Sequence, residues 1–381
     1  MISKIILILI LSLSLFQANS QRYLTEVFPE LDSIIGGTYG ESTDYQGSTQ
    51  NLLFDFYEPK NDTELKRPLF IYIHGGGFTS GSRSYPSVKK LCRIMASKGY
   101  AVANIDYRLD PNFSLYNSTT DRRAMTDAMQ DAKQAIRYFK NLASTYKLDT
   151  TKVCIGGESA GAITAMMASY IDKQTEMNTY PMAVPNNVIG SIANSNIGNG
   201  VNATLCLCGW ILDTNAIETP NDSPILWIHG SYDTFIPINL SFDIVLRASN
   251  IGLPIQTKVF NGGIHCPWYY GNPNWETYLD STISEITTFL YPLASFVSST
   301  ENVSTINIDL YPNPSNGSFN INLTNSAKTV ELSIYSSLGV IIKKQTYLSI
   351  AKIDFKILNK GLYFIRLRID GEYIVKKVIV N

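Results

Sequence analysis

The sequence predicts an α/β domain with a mostly parallel central sheet and helices on both faces, followed by a small all-β sandwich. Three observations carry that expectation. Short apolar runs alternate with helical patterns between residues 51 and 290. The run at 67–73 is almost continuously apolar, as a strand buried on both faces must be. Beyond residue 305 helical periodicity stops, and only short alternating runs remain, at 306–310, 319–323, 330–335 and 363–367, punctuated by Pro312-Asn313-Pro314 and Asn316-Gly317.

The elements follow in order. Residues 21–48 are turn-rich and read as an approach segment. Strands are expected at 51–57, 67–73 and 100–109, with a helical pattern between the last two in Val88, Leu91, Cys92 and Met95. A helix from 121 to about 146 carries Ala124, Ala128, Ala132, Ala135, Ile136, Phe139 and Leu142 on one stripe. A strand at 152–155 leads through Gly156-Gly157-Glu158-Ser159-Ala160-Gly161 into a helix ending near Tyr170. Further strands are expected at 188–193, 224–230 and 255–260, with helices at 239–248 and about 275–290. Residues 197–222 read as irregular, and the Ser/Thr-rich stretch 293–305 as a linker. The expected organisation is a secretory signal at 1–20, a catalytic domain at 21–292, that linker, and a β domain at 306–381.

Composition excludes several classes. With 45% hydrophobic and 17% charged residues and a net charge of −1, the chain offers no basic surface for nucleic acid. Lys4, the apolar residues 5–16 and Ala18-Asn19-Ser20 make a cleavable signal, too short to span a bilayer, and no later stretch reads as a transmembrane helix. Cys92 and Cys154 read as small buried hydrophobes, whereas Cys206, Cys208 and Cys266 fall in expected loops. There Cys266 has two candidate disulfide partners, Cys206 and Cys208. Three histidines, none at ligand spacing from another, argue against a metal site, and no cofactor is expected.

Strand, abrupt turn and helix is the setting in which G-x-S-x-G becomes chemistry. The serine at the apex is strained, its neighbours two positions away must be tiny, and the helix N-terminus behind it favours developing negative charge. A serine hydroxyl needs a base, and the base needs a carboxylate to hold its tautomer. Of the three histidines, His74 heads a glycine run and suits bracing that loop, and His229 lies inside a buried strand. His265 follows Gly262-Gly263 beyond the last major strand and is the expected base. Asp233, just past the end of an earlier strand, is the expected acid, with Asp213 and Asp222 as alternates. The run His74-Gly75-Gly76-Gly77-Phe78 after the strand 67–73 can turn backbone N–H groups toward an oxyanion.

Five motifs together, His74 to Phe78, Asp106-Tyr107-Arg108-Leu109, Gly157 to Gly161, His229-Gly230-Ser231-Tyr232-Asp233 and the Gly263–His265 loop, resemble the α/β-hydrolase carboxylesterases related to hormone-sensitive lipase. The resemblance covers roughly residues 50–292. It implies Ser159 as nucleophile, His265 as base, Asp233 as its orienter, and the backbone N–H groups of Gly76, Gly77 and Ala160 as oxyanion donors. The H-G-x-x-D form at Asp233 departs toward the dienelactone-hydrolase-like and prolyl-peptidase-like branches. Leu310-Tyr311-Pro312-Asn313-Pro314, Lys360-Gly361-Leu362-Tyr363 and the ending Lys376-Lys377-Val378-Ile379-Val380 resemble the type IX secretion sorting domains of Bacteroidetes. That implies export through the secretion machinery, by way of the periplasm, to the cell surface or the medium. Phe78, Glu158, Trp268 and Tyr269 lie beside the motifs and are candidate substrate-lining residues for short-chain or aromatic esters, feruloyl-like or polyester. A prolyl-type serine peptidase and a non-catalytic adhesion protein on the same fold are the competing readings.

Overall fold

The computed structural model describes residues 22–114, 118–178, 194, 196–295, 308–336, 341–356, 359–369 and 372–380. The expected signal at 1–20 and the expected strand at 188–193 lie outside the described residues, as does the linker from 296 onward. The chain divides into two compact units at Ser295, each with its own core.

In the first unit the described residues form one eight-stranded sheet. Its strands are β1 (Leu31–Thr43), β2 (Thr49–Pro59), β3 (Arg67–Ile73), β4 (Ala101–Ile105), β5 (Leu148–Glu158), β6 (Ala203–Leu207), β7 (Ile225–Gly230) and β8 (Ile255–Phe260). The order is β1-β2-β4-β3-β5-β6-β7-β8. The β1–β2 pair is antiparallel and lies antiparallel on β4, and every pairing from β4 to β8 is parallel. The sheet is covered by α1 (Pro86–Ser97) and α6 (Trp275–Ser295) on one face. On the other lie α2 (Ser118–Asn141), α3 (Ala160–Tyr170) and α5 (Ile238–Ile251); α4 (Gln174–Asn178) is a single short turn.

Strand β3 shows how the sequence sorts itself. Leu69, Ile71 and Ile73 enter the core under α2 and α3, while Phe70 and Tyr72 enter the core under α1 and α6. Period-two alternation therefore buries both faces. Burying each of Phe70, Ile71 and Ile73 stabilises the fold by about 1.5–3 kcal/mol.

Three expectations change. The turn-rich approach segment contains β1, an edge strand whose outer residues are mostly exposed, so no hydrophobic pattern marks it. The stretch read as irregular contains β6, which is fully buried and paired on both sides by β5 and β7. Five residues are too few to display a period, and neighbours distant in sequence make this segment a strand. Finally, α6 runs through Ser295, past the expected domain boundary at 292.

The second unit contains β9 (Ile308–Tyr311), β10 (Ser318–Ser336), β11 (Ile341–Lys356), β12 (Gly361–Ile369) and β13 (Glu372–Val380). The pairings between these strands are antiparallel, in the order β11-β10-β12-β13 with β9 beside β10, and Ser315 adds one parallel bridge to Val380 of β13. The long β10 breaks register against β11 between Asn322 and Ala327. Alternate residues such as Phe319, Ile321, Leu332, Ile334, Ile365 and Leu367 fill its core. Among the described residues, no helix of the chain is long and apolar enough to cross a membrane.

Candidate active site

Ser159 stands between β5 and α3 with φ 55° and ψ −121°, a conformation L-residues rarely adopt. The turn is tight enough that a Cβ on Gly157 would lie 2.5 Å from the Ile73 carbonyl oxygen, and one on Gly161 would strike the same oxygen. The Ser159 N–H donates to the Leu207 carbonyl at 2.9 Å, so the end of β6 holds the nucleophile's backbone.

Asp233 follows β7 and His265 follows β8, and the two loops are stitched together. The N–H of Ser231 donates to Phe260 O at 3.0 Å and that of Tyr232 to Gly263 O at 2.8 Å. The structure brings the three expected side chains into one line. The Ser159 hydroxyl meets His265 Nε2 at 2.8 Å, and His265 Nδ1 meets Asp233 Oδ2 at 2.7 Å. Ser159 and Asp233 are buried, while the His265 side chain keeps 13% of its surface exposed. Asp213 and Asp222, the alternates, cap local turns through the N–H groups of Asn215 and Glu218.

The Asp233 carboxylate is held by more than the base. Oδ1 accepts the N–H groups of Phe235 (3.0 Å) and Ile236 (2.9 Å), and Oδ2 also lies 3.2 Å from His229 Nε2. Burial alone would raise its pKa, but the bonds from His229, His265 and Ile236 outweigh it and hold Asp233 well below the usual carboxylate range. His229 is therefore a partner of the acid as well as a core residue stacked on Trp227. The signal available in the sequence was the four-residue spacing His229–Asp233 across a strand end.

The glycine run after β3 abuts the nucleophile, since a Cβ on Gly75 would lie 3.2 Å from Ser159 Cβ. Gly76 and Gly77 have φ 123° and 60°, and neither N–H meets a backbone acceptor among the described residues. Ala160 is the first residue of α3, where backbone N–H groups lack intrahelical partners. The loop is braced from below. His74 Nδ1 donates to Gly75 O at 2.6 Å, its ring stacks on Tyr107 at 4.6 Å, and its Nε2 lies 3.4 Å from Asp106. Arg108, two residues on, pairs with Asp127 and Asp131 of α2.

Three of the four candidate substrate-lining residues are corrected. Phe78 is buried against Tyr107 and Phe113. Glu158 and Trp268 are buried against each other: Trp268 Nε1 donates to Glu158 Oε2 at 2.6 Å, and the Tyr72 hydroxyl donates to the same oxygen at 3.0 Å. Glu158 thus ties the residue before the nucleophile to the loop carrying the base, and its burial pushes its pKa up from 4.5 to about 7. Tyr269 remains beside the site, half-buried, its hydroxyl against Gly75. The exposed rings that sequence reasoning missed are Phe235, which lies 5.3 Å from the His265 ring, and Tyr232.

Fold and site together define an α/β-hydrolase domain with a serine, a histidine and an aspartate on three loops at the carboxyl edge of the sheet. Comparison with known proteins agrees on the class. Residues 54–197 match the BD-FAE family model, and residues 309–381 match the secretion system C-terminal sorting domain. The chain thus combines a BD-FAE esterase-like α/β-hydrolase domain with a type IX sorting domain, which marks it for export to the medium or the cell surface. Arylacetamide deacetylase-like 2 of Homo sapiens is 32% identical over 108 residues, 28% of this chain and 24% of that protein. Neutral cholesterol ester hydrolase 1 of Pongo abelii is 33% identical over 106 residues, 27% and 23% respectively. The chain thus spans about a quarter of the length of these relatives. Among solved structures, native esterase 2 of Thermogutta terrifontis aligns with a TM-score of 0.54 at 18% identity, over 72% of this chain and 96% of that one.

Proposed function

We propose that the protein is an exported serine carboxylesterase that works through an acyl-enzyme. The observation that carries this reading is the unbroken line from Ser159 Oγ through both nitrogens of His265 to Asp233. With Nδ1–H donating to Asp233, Nε2 is left to accept the serine proton as Oγ attacks the ester carbonyl. The oxyanion meets the N–H groups of Gly76, Gly77 and Ala160, each such donor being worth about 10²–10³ in rate. His265 then delivers its proton to the leaving alcohol, and water repeats the cycle on the acyl-enzyme.

The leaving group must sit over the histidine that protonates it. Phe235, 76% exposed and packed on that ring, supports an alcohol portion with apolar or aromatic surface. We read the substrates as short-chain or aromatic esters, feruloyl-like or polyester, met outside the cell. Hydrolysis of a p-nitrophenyl acyl series beside peptide p-nitroanilides, with Ser159→Ala as control, tests the reading. Cleavage of short acyl esters alone is expected; cleavage of the peptides alone would overturn it in favour of a peptidase.

A further inference from the structure

The end of β6 touches both halves of the catalytic machinery. Leu207 O accepts the Ser159 N–H, and the next residue, Cys208, accepts the Cys266 N–H on its Sγ at 3.3 Å. Cys266 directly follows His265. Strand alternation alone would send Cys208 to the same face as Cys206, which lies in the core under α2 and α3. Cys208 instead has φ 49° and turns into the opposite core, where Cys266, itself at φ 42°, is packed. Two non-glycine residues in the left-handed region persist only where the surroundings over-determine them. Both thiols are fully buried, with their sulfurs within 4.8 Å of one another. A nitrogen of His265 lies within the same distance, but both of its ring nitrogens are engaged by Ser159 and Asp233, which leaves no imidazole ligand for an ion.

We propose that Cys208 and Cys266 are joined as a disulfide in the exported protein, fastening the loop of the base to the strand end that holds the nucleophile. The chemistry is thiol–disulfide exchange with a small-molecule or protein disulfide during folding. The thiolate of one cysteine attacks the acceptor disulfide, forming a mixed disulfide and expelling one acceptor thiol. The thiolate of the other then displaces the remaining acceptor sulfur, which leaves the Cys208–Cys266 bond and two acceptor thiols. Two electrons pass to the acceptor together with the two thiol protons. Burial pushes the Cys266 thiol up, so exchange is slow once the core has closed. The existence of the bond is independent of the esterase reading; only its consequence for turnover rests on it.

The test uses the full chain folded in a mixture of oxidised and reduced glutathione. It is denatured and alkylated without reductant, and its intact mass and peptides are read. Three alkylated cysteines (Cys92, Cys154 and Cys206) and a linked peptide containing Cys208 and Cys266 are expected, with five alkylations after reduction. Five alkylations without reduction, or a link through Cys206, would overturn the proposal. In Cys208→Ser and in Cys266→Ser the linked peptide should vanish. Should either fail to fold, the oxidised and reduced wild-type chains give the comparison. Reduction is expected to lower Tm by about 5–10 °C and to shorten the half-life of esterase activity on heating. Equal Tm values would overturn the fastening role, whether or not any ester is cleaved.

Discussion

Asp233 accepts three hydrogen bonds and has His229 Nε2, which also reaches the Ile236 carbonyl at 2.8 Å, only 3.2 Å away, and those partners set its expected behaviour. Asp233→Asn keeps the shape but favours the wrong histidine tautomer, and kcat should fall by about 10⁴, the size seen for that change in a serine protease. His229→Ala removes the imidazole that lies 3.2 Å from this buried carboxylate and bonds the Ile236 carbonyl beside it. Steady-state kinetics should show kcat/KM lower by about 10–100-fold with KM little changed. Phe235→Ala should raise KM across a series of aryl alcohol esters with a fixed acyl group, and leave the acyl series with a fixed alcohol nearly unchanged. Glu158 carries a pH signature. Its folded value near 7 lies above the ordinary 4.5, so the native state holds a proton that the unfolded chain loses first. That stabilisation is complete below about 4.5 and lost as pH rises through 7. Melting curves between pH 5 and pH 8 should therefore fall more steeply for the wild type than for Glu158→Gln, and parallel curves would disprove the assignment. At this scale the chemical identity of Ser159, His265 and Asp233 was legible. The surroundings of Glu158, Trp268 and Phe78 were not, because an aromatic or acidic residue beside a motif looks the same in sequence whether it lines a cleft or braces its floor.

Among the elements, the turn from β5 to α3 has the least freedom. Any side chain at Gly161 meets the backbone carbonyls of Ile73, the last residue of β3, and of His74, which cannot swing away as a side chain can. Urea unfolding of Gly161→Ala should show a loss of about 1–3 kcal/mol, with activity falling further as Ser159 shifts. This turn was readable because its chemistry is local: strand, glycines, serine, helix. Strand β3 was readable for the same reason, through its continuous apolar run. By contrast β6 is a strand only because β5 and β7 hydrogen-bond it on both sides. Its misreading as a loop left Cys206 and Cys208 equivalent, although they belong to different cores.

For the molecule as a whole, each unit buries its own apolar residues, and among the described residues none is shared between the cores of the two units. A chain ending at Ser295 should therefore keep its Tm and its kcat/KM within about twofold. Its export should be lost, which fractionation of a secreting host would measure.

Most of the order of elements, though not β1 or β6, the division into an α/β unit and a β unit, and the side chains that meet at the candidate site could be read from the sequence alone. Periodicity, turn glycines and residue chemistry are properties of short stretches. Only the tertiary structure decided which rings face solvent, which histidine supports the acid from behind, and which cysteine meets Cys266. Those outcomes depend on segments up to 110 residues apart, as Glu158 and Trp268 are. Their packing is cooperative, and no local pattern encodes which of two neighbouring side chains a distant strand will cover.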